Sequence, residues 1–327
     1  MTPQEKDLPL FSTPTGNQAD SSTGMLLSPT ASLSAAINTW EEILADEGRS
    51  IHTVKAFTAD LRLLAKYIGS GQSLNAIGTH DLKNFLNWML NHRKAPCSPK
   101  TYARRVTSIK SFFRWLTEYG VLPADPAAAV PQQTVLSPLP EVLTRDEADL
   151  IMKKVVQLRS NKKKPDARPY VLVRLLLSTA IKKSECLTIH LNHIDLNSAD
   201  GPVVYIRYDD MSKRYRERKL SLPADWIPAF HEYAAQYNPE DLLFPYSPRR
   251  LEYILEDIGE MALLDKHLSF NMCRWSSALF DYLEGAEETA IRHKLGVSKI
   301  QWREVGKKLD RLAAILEENN PHNEVRG

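Results

Sequence analysis

Ser178-Thr179-Ala180-Ile181-Lys182-Lys183-Ser184-Glu185-Cys186-Leu187 is the stretch on which the reading of this 327-residue chain turns. A largely apolar run, Tyr170 to Leu177, leads into it, and a polar-apolar alternation from Leu187 to Ile194 follows. The chain around it is long enough for two domains, each with its own core. With 43% hydrophobic and 25% charged residues the composition is that of an ordinary soluble protein. No apolar run approaches the roughly 18–20 residues that span a bilayer, so a membrane role is not expected. A basic segment followed by an apolar core is missing at the N-terminus, so no signal peptide is expected. Cys97, Cys186 and Cys273 lack metal-ligand spacing and read as reduced thiols in a cytoplasmic protein.

Upstream of the stretch, residues 1 to about 30 are rich in Ser, Thr, Pro, Gly and Gln, the composition of a disordered arm. Four helical patterns come next, over 31–122. Ala31 to Glu47 carries Leu33, Ile37, Trp40 and Leu44 at helical spacing. Ser50 is an N-cap for Ile51 to Ile68. Thr79 is read as the cap of a third helix, through Leu82, Phe85, Leu86 and Met89. Ser98-Pro99 opens a fourth that runs to about Tyr119. Five prolines between Val121 and Val142 predict an extended linker over 123–141. Thr144-Arg145-Asp146-Glu147 is a capping box that opens a second domain over 142–306. Val203 to Tyr208 and Arg216 to Leu222 alternate as two strands, and the chain from about Pro223 to Asn319 returns to helix. Beyond 306, Leu309, Leu312, Ile315 and Leu316 mark an amphipathic helix over 307–318, followed by a tail to 327.

The net charge is only +2, but its distribution is uneven. Arg93, Lys94, Lys100, Arg104, Arg105, Lys110 and Arg114 lie in one run without an acidic residue. Such a run is either a solvated face or a surface that neutralises DNA phosphates.

The organising stretch resembles the T-G-L-R-x-S-E-L segment of tyrosine recombinases, the family of phage integrases and Xer proteins, with Lys182 at the Arg that grips the scissile phosphate. Other landmarks of that family fall in order over about residues 33 to 306. Tyr102-Ala103-Arg104-Arg105 leading to Phe112-Phe113-Arg114-Trp115-Leu116 resembles its core-binding domain. Ser212 to Arg218 resembles its G-K-G-x-K-x-R hairpin, with Lys213 at the acid. Leu268 to Arg274 resembles the segment ending in H-x-x-R, keeping Arg274 and placing Asn271 at the His. Leu295-Gly296-Val297 resembles L-G-H or L-G-W, with Val297 at the polar position.

The resemblance implies a mainly α protein with a small β-hairpin or sheet. It implies a four-helix, SAM-like core-binding domain followed by an α+β domain of the recombinase catalytic type. In the family two Arg side chains hold the attacked phosphate, a Lys and a His assist proton transfer, and a Tyr attacks phosphorus. That chemistry needs no metal or cofactor. Here the Tyr would stand about nine residues past Val297, near Gly306, and no tyrosine follows Tyr282.

The expectation is therefore a member that binds double-stranded DNA without cutting it, in the cytoplasm and at the nucleoid. It would act as an accessory or regulatory factor in recombination or integration, or at a promoter or replication site. The expected DNA contacts are the seven basic residues of the run together with Lys182, Lys213 and Arg274. Its other partners would be an active recombinase or a second copy, met through residues 307–318, unless that helix packs on its own domain. Two alternatives are an active recombinase whose nucleophile is displaced, for example to Tyr282, and a protein-interaction module.

Overall fold

The computed structural model describes residues 27–93, 96–132 and 138–318. Most of the expected N-terminal arm, Lys94 and the tail from 319 lie outside the described residues. The chain divides into two compact units, Met1–Ser137 and Pro138–Gly327.

The first unit holds four helices, α1 (Leu33–Asp46), α2 (Ile51–Ile68), α3 (Thr79–Asn91) and α4 (Pro99–Glu118). Ser50 and Ser98 cap α2 and α4, each accepting the N–H three residues on. The α3 cap differs from the expectation. Gly78 stands at the N-cap, where its N–H donates to the Asp81 carboxylate at 2.9 Å, and Thr79 is the first helical residue. The Thr79 hydroxyl instead donates to the Pro126 carbonyl at 2.7 Å. Trp40, Phe85, Phe112 and Phe113 fill the core. Each large apolar side chain buried there contributes about 1.5–3 kcal/mol. Part of the expected linker belongs to this core: Ala127 and Val130 are buried in it. Leu27, on the expected arm, packs against it.

The second unit is built on α5 (Arg145–Arg159), α6 (Arg168–Thr179), the single-turn α7 (Lys183–Cys186), α8 (Trp226–Tyr237), α9 (Pro248–Met261), α10 (Phe270–Leu283), α11 (Glu288–Leu295) and α12 (Lys299–Glu318). The Thr144 capping box forms, with Thr144 and Glu147 exchanging backbone-to-side-chain bonds at 2.7 and 3.2 Å. α6 is the central rod. Tyr170, Val171, Leu172, Val173, Leu175 and Leu176 are all buried, as expected for a helix apolar on every side.

Three strands, β1 (Ile194–Asp195), β2 (Val203–Ile206) and β3 (Arg218–Ser221), form an antiparallel sheet in that order. The two expected strands are therefore present but shorter, because residues 207–217 leave the ladder. Met211–Arg216 forms a 3-10 helix there. β1 is an addition to the expected pair. α12 is one continuous helix across the expected boundary at 306, and Leu309, Leu312 and Ala313 bury against Ala278, Leu279, Ile291 and Leu295 of the same unit.

Candidate nucleic-acid interface and phosphate pocket

The organising stretch is the bend between α6 and α7. Ala180 ends α6 in the left-handed region, at φ +50°, where a methyl side chain is strained. Lys182 is then the N-cap of α7, and its N–H donates to Glu185 Oε2 at 2.8 Å. Glu185 is 2% exposed. Its two carboxylate oxygens accept Arg218 Nη1 and Nη2 at 3.1 and 2.8 Å, and Oε1 also accepts the Tyr208 hydroxyl. Burial alone would raise its pKa, but the Arg218 bonds and charge outweigh it and hold the carboxyl at about 2.

Arg218 also donates to the Lys294 carbonyl at 3.1 Å, across Gly296. Gly296 ends α11 at φ +58°, and a Cβ there would come within 2.7 Å of the guanidinium. Both its conformation and this close approach call for glycine.

Arg274 projects from α10 and donates to the Leu295 carbonyl at 2.6 Å and to the Ala180 carbonyl. Burial pushes its pKa down to about 10. Burial also lowers that of the Lys182 ammonium. Glu185 opposes this, and Arg274, Arg216 and Arg218 add to it. Lys182, Asn271 and Arg274 line one cleft of about 470 Å³. Lys182 and Arg274 make part of its wall cationic, and Lys183 and Glu252, paired at 2.7 Å, line it as well.

The other expected members of the pocket lie elsewhere. Lys213 sits on the 3-10 turn, paired with Asp210 at 2.6 Å, and lines a second cleft with His190, His193 and Arg207. The Val297 side chain packs against the apolar cluster under α12 and has no polar group. At Gly306 an added Cβ would meet Trp302 at an ordinary 3.5 Å, so packing does not forbid a side chain there. The Tyr282 hydroxyl donates to Asp310 of α12 at 2.5 Å, and this bond raises its pKa.

In the first unit the basic run divides. Lys100 and Arg114 are exposed on α4, Arg93 is half-buried after α3, and none of the three meets a carboxylate among the described residues. Arg105 turns inward, while Arg104 keeps 39% of its side chain exposed. Both pair with Asp60, at 2.9 and 3.3 Å, and Asp60 is 3% exposed. Lys110 bonds the Ala128 and Val130 carbonyls at 3.3 and 2.8 Å. The partners of these three lie on other segments, so a run of basic residues read by itself does not show them. Sequence reasoning also passed over Glu185, Arg218 and Tyr208, although Glu185 and Arg218 stood within the quoted motifs. Among the described residues no helix is long and apolar enough to cross a membrane.

Residues 37–120 match the phage integrase N-terminal SAM-like domain, and residues 141–302 match the phage integrase family. The tyrosine recombinase XerC of Mycobacterium bovis is 31% identical over 168 residues, half of this chain and 54% of that protein. The chain thus spans about half the length of the mycobacterial XerC relatives it matches. The tyrosine recombinase XerD of Listeria innocua is 21% identical over 80% of this chain and 90% of its own. Two solved structures share the fold at a TM-score of 0.65. One is XerH in a post-cleavage complex with palindromic difH, 17% identical and covering 87% of this chain and 85% of that one. The other is a lambda integrase tetramer bound to a Holliday junction, 15% identical and covering 83% and 75%. With one integrase model on each unit and the same fold in these structures, the chain belongs to the phage integrase, or tyrosine recombinase, family.

Proposed function

We propose that this chain holds double-stranded DNA without cleaving it. It would serve as an accessory or regulatory factor in site-specific recombination or integration, or at a promoter or replication site. The observation that carries this reading is Gly306, at the place where the family's nucleophilic tyrosine is expected, with no tyrosine after Tyr282. Two further losses point the same way. Lys182 keeps the charge of the family's first Arg but not its planar fork. Asn271 can bond a phosphate oxygen but cannot shuttle a proton near neutral pH. Tyr282 is a poor substitute nucleophile, because its proton is held by Asp310 and its pKa is raised. The basic groups persist: Lys182 and Arg274 line one cleft, and Lys100 and Arg114 remain exposed.

The test uses duplex DNA selected by binding to the protein, nicked within the recovered site, followed by denaturing electrophoresis. The expected result is a complex in native gels and no covalent adduct after denaturation. A covalent adduct would contradict the reading, and its loss in Tyr282→Phe would identify a displaced nucleophile.

A further inference from the structure

We propose that the cleft between the turn before β3 and α11 is a second phosphate site, in which Arg216 and Arg292 hold one backbone phosphodiester of DNA. The proposal rests on the DNA-holding reading above and adds to it a site apart from the Lys182 cleft.

This cleft measures about 360 Å³ and is lined on one side by Tyr215 to Arg218 and on the other by Arg292, His293 and Gly296. Gly296 follows Leu295, whose carbonyl accepts Arg274 of the Lys182 cleft, so both clefts reach the end of α11.

The three arginines of the cleft differ in what they are free to do. Arg218 is spent on Glu185 and on the Lys294 carbonyl. Arg216 is half-buried and meets no carboxylate among the described residues. Its Nε and Nη2 donate to the Tyr215 phenol oxygen at 2.9 and 2.6 Å, which leaves Nη1 without a partner among the described residues. Arg292 is also short of partners. Its side chain is 24% exposed, but its Nε is buried and finds no acceptor. Glu288, 51% exposed, stands 3.8 Å from Nη1, beyond hydrogen-bond reach. Glu217, the one acid lining the cleft, turns Oε1 to the Tyr208 N–H at 3.0 Å.

Two half-buried guanidiniums thus line one cleft, and neither is hydrogen-bonded to a carboxylate. Such an arrangement is costly unless an anion enters between them. A phosphodiester fits, because its two non-bridging oxygens match the planar fork of arginine. Tyr215, 71% exposed on the same wall, leaves its ring open to the sugar or base beside that phosphate.

The test measures affinity of the full chain for a mixed-sequence DNA duplex at several salt concentrations. Arg216→Ala and Arg292→Ala are each expected to weaken binding about tenfold, the scale of one charge-assisted contact. The double variant should have a salt slope shallower by about 0.9, the value for one shared phosphate. A change of about 1.8 would mean two separate phosphates and contradict the shared grip. Arg292→Lys keeps the charge and loses the fork, so it should weaken binding while keeping the slope, a split that a purely structural role would not give. Wild-type affinity and slope in the Arg216→Ala, Arg292→Ala double variant, with binding weakened in Arg274→Ala, would overturn this site and leave the DNA-holding reading intact. No binding by the wild-type chain would overturn the DNA-holding reading, and this site with it.

Discussion

Asp60 in the first unit and Glu185 in the second are buried acids, each met by arginines, and the two clusters end with opposite surpluses of purpose. Around Asp60, Arg104 and Arg105 converge from α4, and the Ser108 hydroxyl adds a third bond at 3.0 Å. Arg105 is held inside the unit, while Arg104 pairs with the acid and keeps part of its side chain exposed. Burial still raises the Asp60 pKa, although both arginines oppose it. Around Glu185, Arg218, the Tyr208 hydroxyl and the Lys182 N–H take up the carboxylate; the Lys182 ammonium stands 4.0 Å from it and Arg274 bonds two carbonyls instead of an acid. On the proposed reading, the cations left for a phosphate are those whose nearest carboxylate is already engaged. The density of basic residues along the chain does not mark them.

The largest effect that separates the clusters is expected at Glu185. Replacing it with Gln leaves the Arg218 guanidinium, 1% exposed, without its counter-charge, and should cost about 3–5 kcal/mol in denaturant unfolding. The same pair predicts acid sensitivity. A carboxyl held at about 2 instead of 4.5 contributes stability that is complete above the unfolded value and is lost as pH falls toward 2. That window corresponds to about 3 kcal/mol. Glu185→Gln should flatten this limb, and an unchanged acid limb would show that the pair does not control it.

A somewhat smaller loss, about 3 kcal/mol, is expected for Arg105→Ala, whose side chain is 11% exposed against Asp60. Asp60→Asn in the same chain should recover part of it, as read from a double-mutant cycle. If Arg105→Ala instead unfolds like wild type and loses DNA affinity, the inward assignment of this arginine is wrong. Charge reversal at Arg104 and Arg105 is consequently a poor probe of DNA contact, because it strikes the fold first.

These clusters also mark where sequence reading succeeds and stops. Local signals carry through to the structure: Ser50 and Ser98 cap their helices, and the Thr144 box forms as its spacing requires. Thr79 misleads because Asp81 reaches back to Gly78 and shifts the cap by one residue. The apolar run before Ser178 does not declare its secondary structure, since α6 is buried on all sides and shows no periodic face. Family landmarks place Lys182, Asn271 and Arg274 at one cleft, but Lys213 and Val297 fall outside it. The pairing of Arg104 and Arg105 depends on an acid on another helix, so a window containing only basic residues cannot reveal it.

The most direct measurement is the salt dependence of DNA affinity for wild type and for Arg274→Ala with Lys182→Ala. The account predicts weaker binding and a slope shallower by about 0.9 for each phosphate contact removed. An unchanged affinity and slope would contradict it, because the uncompensated cations of the second unit would then hold no phosphate.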